Sequence, residues 1–376
     1  MNVYEAAMKR INFLFDEFDY VYVSFSGGKD SGVMLEMVAK VAQERQQRFG
    51  IFHMDYECQY AKTTGYVLAT LERFRPVADI YHVCVPFKVK TCTSVTQSYW
   101  RPWGPSERAL WVRSMPEGAM TAENFGFFKP TMWDYDFQFA FGDWLAAKRG
   151  KTCCCVGIRT EEALNRWRAV FSDRRKHLYK DKRWTNASRR CVAAYPVFDW
   201  KVEDIWAANA KFEWSYNALY DLYHLAGVPL RKMRVASPFL GEGAATLKLY
   251  RAIEPDTWGR LVGRVNGVNF TAMYGSTTAM GHLHTEKPKG TTWQGYMNFL
   301  LNFLPAEAKE NYTSRLEAVL AGLNGSAESG VVEYLYKQMC SCIIKNDYQC
   351  KHLGLRAAEK AVQRRKQMKT KYENLL

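Results

Sequence analysis

The chain has no run of about 18 uncharged apolar residues, the length a membrane helix needs, so no span is expected. It has no low-complexity segment and no internal repeat, which sets aside solenoid and fibrous architectures. No G-x-x-x-x-G-K-S/T sequence occurs, so the common phosphate loop of NTPases is excluded. The first residues, MNVYEAAMKRINFLFDEFD, carry acids and an amphipathic pattern rather than a basic start and an apolar block, so no secretory signal is expected. Ten cysteines without such a signal fit the reducing cytosol, where they serve as thiols or metal ligands. A cytoplasmic location is therefore expected. Histidine is scarce, and no acid/base constellation is legible. His53, His82 and His177 stand singly, and each reads as a satisfied structural histidine.

What is present suffices for a real core: 48% of 376 residues are apolar, and that length accommodates roughly two domains. The formal charge is +14. Residues 148–190 hold fourteen Lys/Arg against Glu161, Glu162, Asp173 and Asp181. Residues 351–376 hold eight against Glu359 and Glu373. The first cluster is expected to reach nucleotide phosphates; the second is a solvated face or a surface for nucleic acid or an acidic partner.

Val3, Tyr4, Ala7, Met8, Ile11, Leu14, Phe15 and Phe18 recur at helical spacing, so 3–18 is predicted to be a one-sided helix. Strands are predicted at 20–26, 50–55, 80–86 and 152–158, with helices at 31–47, 61–74 and 137–149 between them. A further helix is expected in VEDIWAANAKF, started by its acidic first turn. This alternation predicts an α/β fold, a parallel twisted sheet covered by helices. Residues 91–130 read as a long insertion or lid within a domain of residues 1–235. From 236 to 376 short helical segments dominate and predict a mostly helical second domain with a basic tail.

The segment YVYVSFSGGKDS (20–31) carries the chemistry. Adjacent Gly27 and Gly28 permit backbone conformations closed to other residues and close approach of an anion. A helix starting at Asp30 or Ser31 aims unpaired N–H groups at the same place. Lys29 adds a full charge; Ser24, Ser26 and Ser31 add hydroxyls. Together they predict a phosphate cradle at the carboxyl end of a parallel strand.

SGGKDS resembles the PP-loop of the adenine-nucleotide α-hydrolase superfamily. VGIRTEEALNR (156–166) is similar to the G-I-R-x-x-E-S-x-x-R motif of phosphoadenosine phosphosulfate reductases, through Gly157, Arg159, Glu162 and Arg166, with Ala163 in place of serine. YPVFDWKVEDIW (195–206) is similar to another segment of that group, through Pro196, Trp200, Asp204 and Trp206. HMDYE (53–57) stands where the family's second-strand aspartate does, with Asp55 retained. CSCIIKNDYQCKHLGL (340–355) resembles the tail of a subfamily of reductase-like proteins of the immunoglobulin-binding regulator A type, commonly found beside a ParB-like partner.

The resemblance implies a Rossmann-like fold, ATP and Mg²⁺ as cofactors, and cleavage of ATP between the α and β phosphates. Lys29 and the amides around Gly27 and Gly28 would hold the β and γ phosphates. Asp30 would either bind Mg²⁺ or cap its helix. Asp55 would meet the ribose, the adenine amine or a metal, or cap a helix. Arg159 is the better catalytic candidate. Arg166 would serve phosphate oxygens or, on a helix expected to begin near 160, pair with Glu162 at i, i+4. Arg168, Arg174 and Arg175 would extend the basic rim, while Trp200, Asp204 and Trp206 are expected to pack and cap. The family's reductase element, E-C-G-L/I-H, is absent, so phosphosulfate reduction is not expected. Cys153, Cys154 and Cys155 alternate along a strand and cannot converge on one metal. Cys340, Cys342, Cys350 and His352 would be packed thiols or a metal set. Adenylyl transfer to an acceptor leads; a nucleotide-sensing regulator acting with a protein partner or DNA, and a nucleic-acid-modifying enzyme, are the alternatives.

Overall fold

The computed structural model describes residues 2–94, 97–171, 177–241, 243, 246–274, 287–323, 329–345, 347–350 and 353–372. Arg174, Arg175 and His352 lie outside the described residues. The chain falls into two units, each built from more than one stretch of sequence. The first comprises 1–89, 101–237 and 249–260; the second comprises 90–100, 238–248 and 261–376.

The first unit holds a six-stranded sheet. Its opening strands are β1 (Tyr20–Ser24), β2 (Phe49–Met54) and β3 (Ala78–Val83). Two short strands outside the sheet follow, β4 (Val89–Lys90) and β5 (Tyr99–Trp100). β6 (Thr152–Val156), β7 (Thr185–Asn186) and β8 (Val192–Ala194) complete it in the order β3-β2-β1-β6-β8-β7. All pairings are parallel except β7 with β8, an antiparallel edge that the strand pattern did not announce. Strand order reverses at β1, which lies between β2 and β6. Open α/β sheets bind ligands at such a switch point, beyond the carboxyl ends of the strands.

Alternation along the strands divides the packing between two faces. Val21, Val23, Ile51, Cys153 and Cys155 join the main core with α1 (Val3–Glu17), α2 (Lys29–Glu44) and the later α6 (Val202–Phe212). Tyr22 and Phe52 meet Phe141 of α4 (Asp134–Arg149), with ring centroids 5.8 and 4.1 Å away. Full burial of each such side chain is worth about 1.5–3 kcal/mol. Trp200 is buried and donates its indole N–H to Val3 O (3.1 Å); Asp204 accepts the Lys201 N–H at the start of α6 (2.7 Å).

Helix α3 (Ala61–Phe74) has no side-chain cap of its own. Glu254, beyond α7 (Leu219–Leu225) and α8 (Tyr250–Ile253), accepts from Ala61 N (2.9 Å) instead. The helix predicted near 160 begins later, as α5 (Leu164–Phe171), because Thr160 bonds Phe198 O through both its amide and hydroxyl. Within the stretch read as an insertion or lid, Trp103, Val112 and Phe125 are all buried.

α9 (Pro255–Arg264) begins in the first unit; in the second, after α10 (Val268–Tyr274), come α11 (Trp293–Asn302), α12 (Ala306–Leu320), α13 (Ser329–Ile344) and α14 (Leu355–Tyr372). α13 is central, packing against α11, α12 and α14 with Leu335 and Met339 fully buried. α14 leaves Arg364 and Arg365 exposed. Among the described residues no helix is long and apolar enough to cross a membrane.

Candidate functional site

β1 ends at Ser24, and the chain turns through Phe25–Gly28 into α2, whose first residue is Lys29. Gly27 has φ +77°, where a side chain would be strained, and a Cβ there would meet Val67 Cγ2 at 2.7 Å. Gly28 is the N-cap and supplies no side chain to the helix amides. Capping, one of the two roles expected of Asp30, is therefore not what its side chain does at the start of α2. The loop serines are inward ties: Ser31 Oγ donates to Gly28 O (3.0 Å), accepts from Ser26 N–H (3.2 Å) and lies 3.0 Å from Ser26 Oγ. Ser24, half-buried, is in register with Val156.

Two cations converge on this turn, both almost excluded from water. Lys29 Nζ lies 3.3 Å from Asp30 Oδ2 and donates to Met233 O (3.1 Å). The Arg159 guanidinium pairs with Asp30 Oδ1 and lies 3.5 Å from Glu161. Both Asp30 oxygens are thus committed to cations. Gly157 explains how Arg159 reaches the turn. A Cβ on Gly157 would stand 2.9 Å from the Asp30 carbonyl atoms, so β6 abuts the start of α2 only because that side chain is missing. Gly157→Ala is expected to cost about 1–3 kcal/mol, read as a lower unfolding midpoint; an unchanged midpoint would mean that strand and helix part freely.

Residues 217–234 cover the turn, and no sequence signal marked them. The Lys29 N–H donates to the Tyr220 hydroxyl (3.1 Å), and Lys29 Nζ lies 5.2 Å from that ring. Asn217 Nδ2 donates to Gly27 O (3.2 Å). Arg234 bonds Glu162 O (2.9 Å). Burial, then the Asp30 carboxylate, holds the Tyr220 phenol protonated well above its ordinary range.

Other expected site residues lie apart. Arg166 pairs with Glu162 (3.7 Å), with two-fifths of its side chain exposed. The basic cluster 148–190 does not form one rim. Arg149 reaches Asp79 (3.0 Å) and Lys151 reaches Glu17 (3.7 Å) before β6 begins, whereas Arg159 follows its end. A five-residue strand, about 16 Å long, separates the two groups. Asp55 follows β2 as expected, but its carboxylate is buried and engaged by His82 Nε2 (2.9 Å), Arg113 and the Glu57 amide (2.9 Å). Burial alone would raise its pKa; the His82 hydrogen bond and the Arg113 charge outweigh it and hold the carboxyl well below the usual range. His177 is exposed.

The cysteines are packed thiols. Cys153 and Cys155 face the main core, while Cys154 and Cys191 lie beside Tyr22. In the second unit Cys340 Sγ lies 3.6 Å from Trp293 O, and burial pushes that thiol up to about 12. Among the described residues the cysteines form no group with metal-ligand spacing.

Residues 20–109 match the family described as the phosphoadenosine phosphosulfate reductase domain; residues 227–335 match a domain of unknown function, DUF3440. The uncharacterised protein YbdN of Escherichia coli (strain K12) is 34% identical over 370 residues, covering 94% of this chain and 90% of its own. Among solved structures, phosphoadenylyl-sulfate reductase from Candida auris, a phosphate complex, matches with TM-score 0.31 and 14% identity, over 58% of this chain and 84% of that one. FMN adenylyltransferase from Candida glabrata, with FAD and inorganic pyrophosphate, matches with TM-score 0.34 and 14% identity, over 58% and 59%. The U34-tRNA thiolase NcsA from Methanococcus maripaludis matches with TM-score 0.33 and 11% identity, over 77% and 84%. With a reductase-type domain around its glycine turn and a full-length relative at this identity, the chain belongs to the YbdN family of phosphoadenosine phosphosulfate reductase-like PP-loop proteins.

Proposed function

We propose that the turn at 26–31 binds the phosphates of ATP and that the chain transfers AMP to an acceptor. The acceptor's nucleophile bonds to the α-phosphorus as the bond to the bridging oxygen breaks, and pyrophosphate leaves. The observation that carries this reading is the pair of buried cations, Lys29 and Arg159, meeting at the N-terminus of α2 beside a glycine-lined turn. Buried charge is costly unless paired; here both cations share Asp30, and Arg159 also has Glu161, 3.5 Å away. The residues fit a polyphosphate: backbone amides, an ammonium and a planar guanidinium supply donors where charge develops on the leaving group. Magnesium, in this reading, arrives on the nucleotide phosphates rather than on a protein carboxylate. Positioning and charge neutralisation carry the chemistry, as phosphoryl-group transfer requires. Sulfonyl reduction is not proposed, because Cys340, Cys342 and Cys350 are all buried. Incubation with α-labelled ATP and candidate acceptors tests the proposal: label should move to an acceptor with release of pyrophosphate. Tight binding without any release would overturn the transfer step.

One observation favours a second reading, a nucleotide-sensing regulator of the kind the C-terminal resemblance suggests, working with a ParB-like partner or on DNA. The donors a phosphate needs are already satisfied from within, Lys29 N by Tyr220 and Lys29 Nζ by Met233. Binding would therefore displace residues 217–234, a change a partner can read. Tyr220→Phe removes the competing acceptor. A net hydrogen bond is worth about 0.5–1.5 kcal/mol, so ATP affinity should rise by roughly 2- to 10-fold in calorimetry. A weaker affinity would make Tyr220 a ligand of the nucleotide rather than its competitor.

A further inference from the structure

A buried group of two histidines and a carboxylate lies on β2 and β3, and neither reading above uses it. His53 and His82 are register partners on these adjacent parallel strands, their ring centroids 5.3 Å apart. Asp55 follows two residues after His53, on the same face by alternation. We infer that His53, Asp55 and His82 form a binding site for one divalent transition-metal ion.

One donor atom from each residue lies within 4.8 Å of the others, and all three residues are buried. The His53 tautomer is fixed from outside the group. Its Nδ1 lies 2.8 Å from the Phe25 carbonyl oxygen, which can only accept, so Nδ1 carries the proton and Nε2 presents a lone pair. A backbone carbonyl orienting the remote nitrogen of a neutral imidazole is the support that metal-bound histidines receive. Among the described residues no hydrogen bond reaches His53 Nε2.

His82 Nε2 and Asp55 Oδ2 are 2.9 Å apart. Two ligands about 2.0 Å from one tetrahedral ion stand about 3.3 Å from each other, so the ion replaces the proton that Nε2 shares with Oδ2, with only a small separation of the two side chains, and that proton is released to solvent. Arg113 occupies the other carboxylate oxygen, Oδ1, and leaves Oδ2 for the metal. Arg113 thus acts as the carboxylate's outer partner, holding its orientation. Two imidazoles and one carboxylate suit zinc or iron(II) rather than calcium or magnesium.

The test uses the full chain, purified without chelator and analysed for metal by mass spectrometry, then stripped and titrated with Zn²⁺ and with Co²⁺. The expected results are about one ion per chain, visible cobalt bands of nitrogen-ligated tetrahedral or five-coordinate type, and zinc affinity lowered about 100-fold or more in both His53→Gln and His82→Gln. Should a variant fail to fold, the cobalt spectrum of the parent chain decides alone. No binding by the stripped parent, an all-oxygen cobalt spectrum, or unchanged affinity in both folded variants overturns the inference. Nucleotide binding is measured separately at the 26–31 turn, so failure of one proposal leaves the other standing.

Discussion

Lys29→Ala should lower ATP affinity by roughly 10- to 100-fold and reduce pyrophosphate release to background. Lys29 is 5% exposed, so its ammonium acts with little screening. A charge-assisted hydrogen bond contributes about 1.5–3 kcal/mol, and each 1.4 kcal/mol is about tenfold in affinity. The variant should still fold, because the Arg159 guanidinium remains to neutralise Asp30. Calorimetry with ATP and a coupled pyrophosphate assay on the same preparation separate binding from turnover. An affinity within about threefold of the parent chain would show that the phosphates do not rest on this turn, since the smallest loss expected for the bond exceeds it.

Glu57→Ala should produce the largest loss of stability. The Glu57 side chain is fully buried, and its two oxygens accept from Trp103 N (2.9 Å) and Val112 N (3.0 Å). Its own carbonyl accepts from Arg113 (3.1 Å), and Trp103 also reaches back to Asp55 O (2.8 Å). One carboxylate thereby fastens both ends of residues 103–112 over the end of β2. Alanine would strand two buried amides, each costing about 1–3 kcal/mol. A total near 3 kcal/mol lowers Tm by about 6–12 °C in a domain of this size. Glu57→Gln, which keeps one acceptor oxygen, should recover part of it. A change under about 2 °C for alanine would mean that water or a shifted loop replaces the carboxylate at little cost.

Much of the first unit was legible because its signals are local. The strand-to-turn change at Ser24–Gly28 is written in residue types with distinct backbone freedom, and α3 falls on 61–74 as its spacing predicts. The later start of α5 was not legible, because it follows from Thr160 bonding Phe198, 38 residues away. Residues 91–130 read as an insertion or lid because they lack periodicity, and nothing in them signals that Trp103 and Val112 are held by a carboxylate about fifty positions earlier. Periodicity reports repeated local environments and is silent about a segment fixed by side-chain bonds from elsewhere.

The same division holds at the site. The sequence marked the glycine turn, Lys29 and Asp30 through local backbone freedom and charge after a strand, and Arg159 through a motif resemblance. Tertiary structure alone decided what those groups touch: Tyr220 and Met233 on Lys29, Arg159 on Asp30, Arg113 and His82 on Asp55. Spacing along a chain dictates which conformations are cheap. The pairing of charges dozens to hundreds of positions apart depends on strand order and on how much water is excluded between them, and neither exists before the sheet has formed.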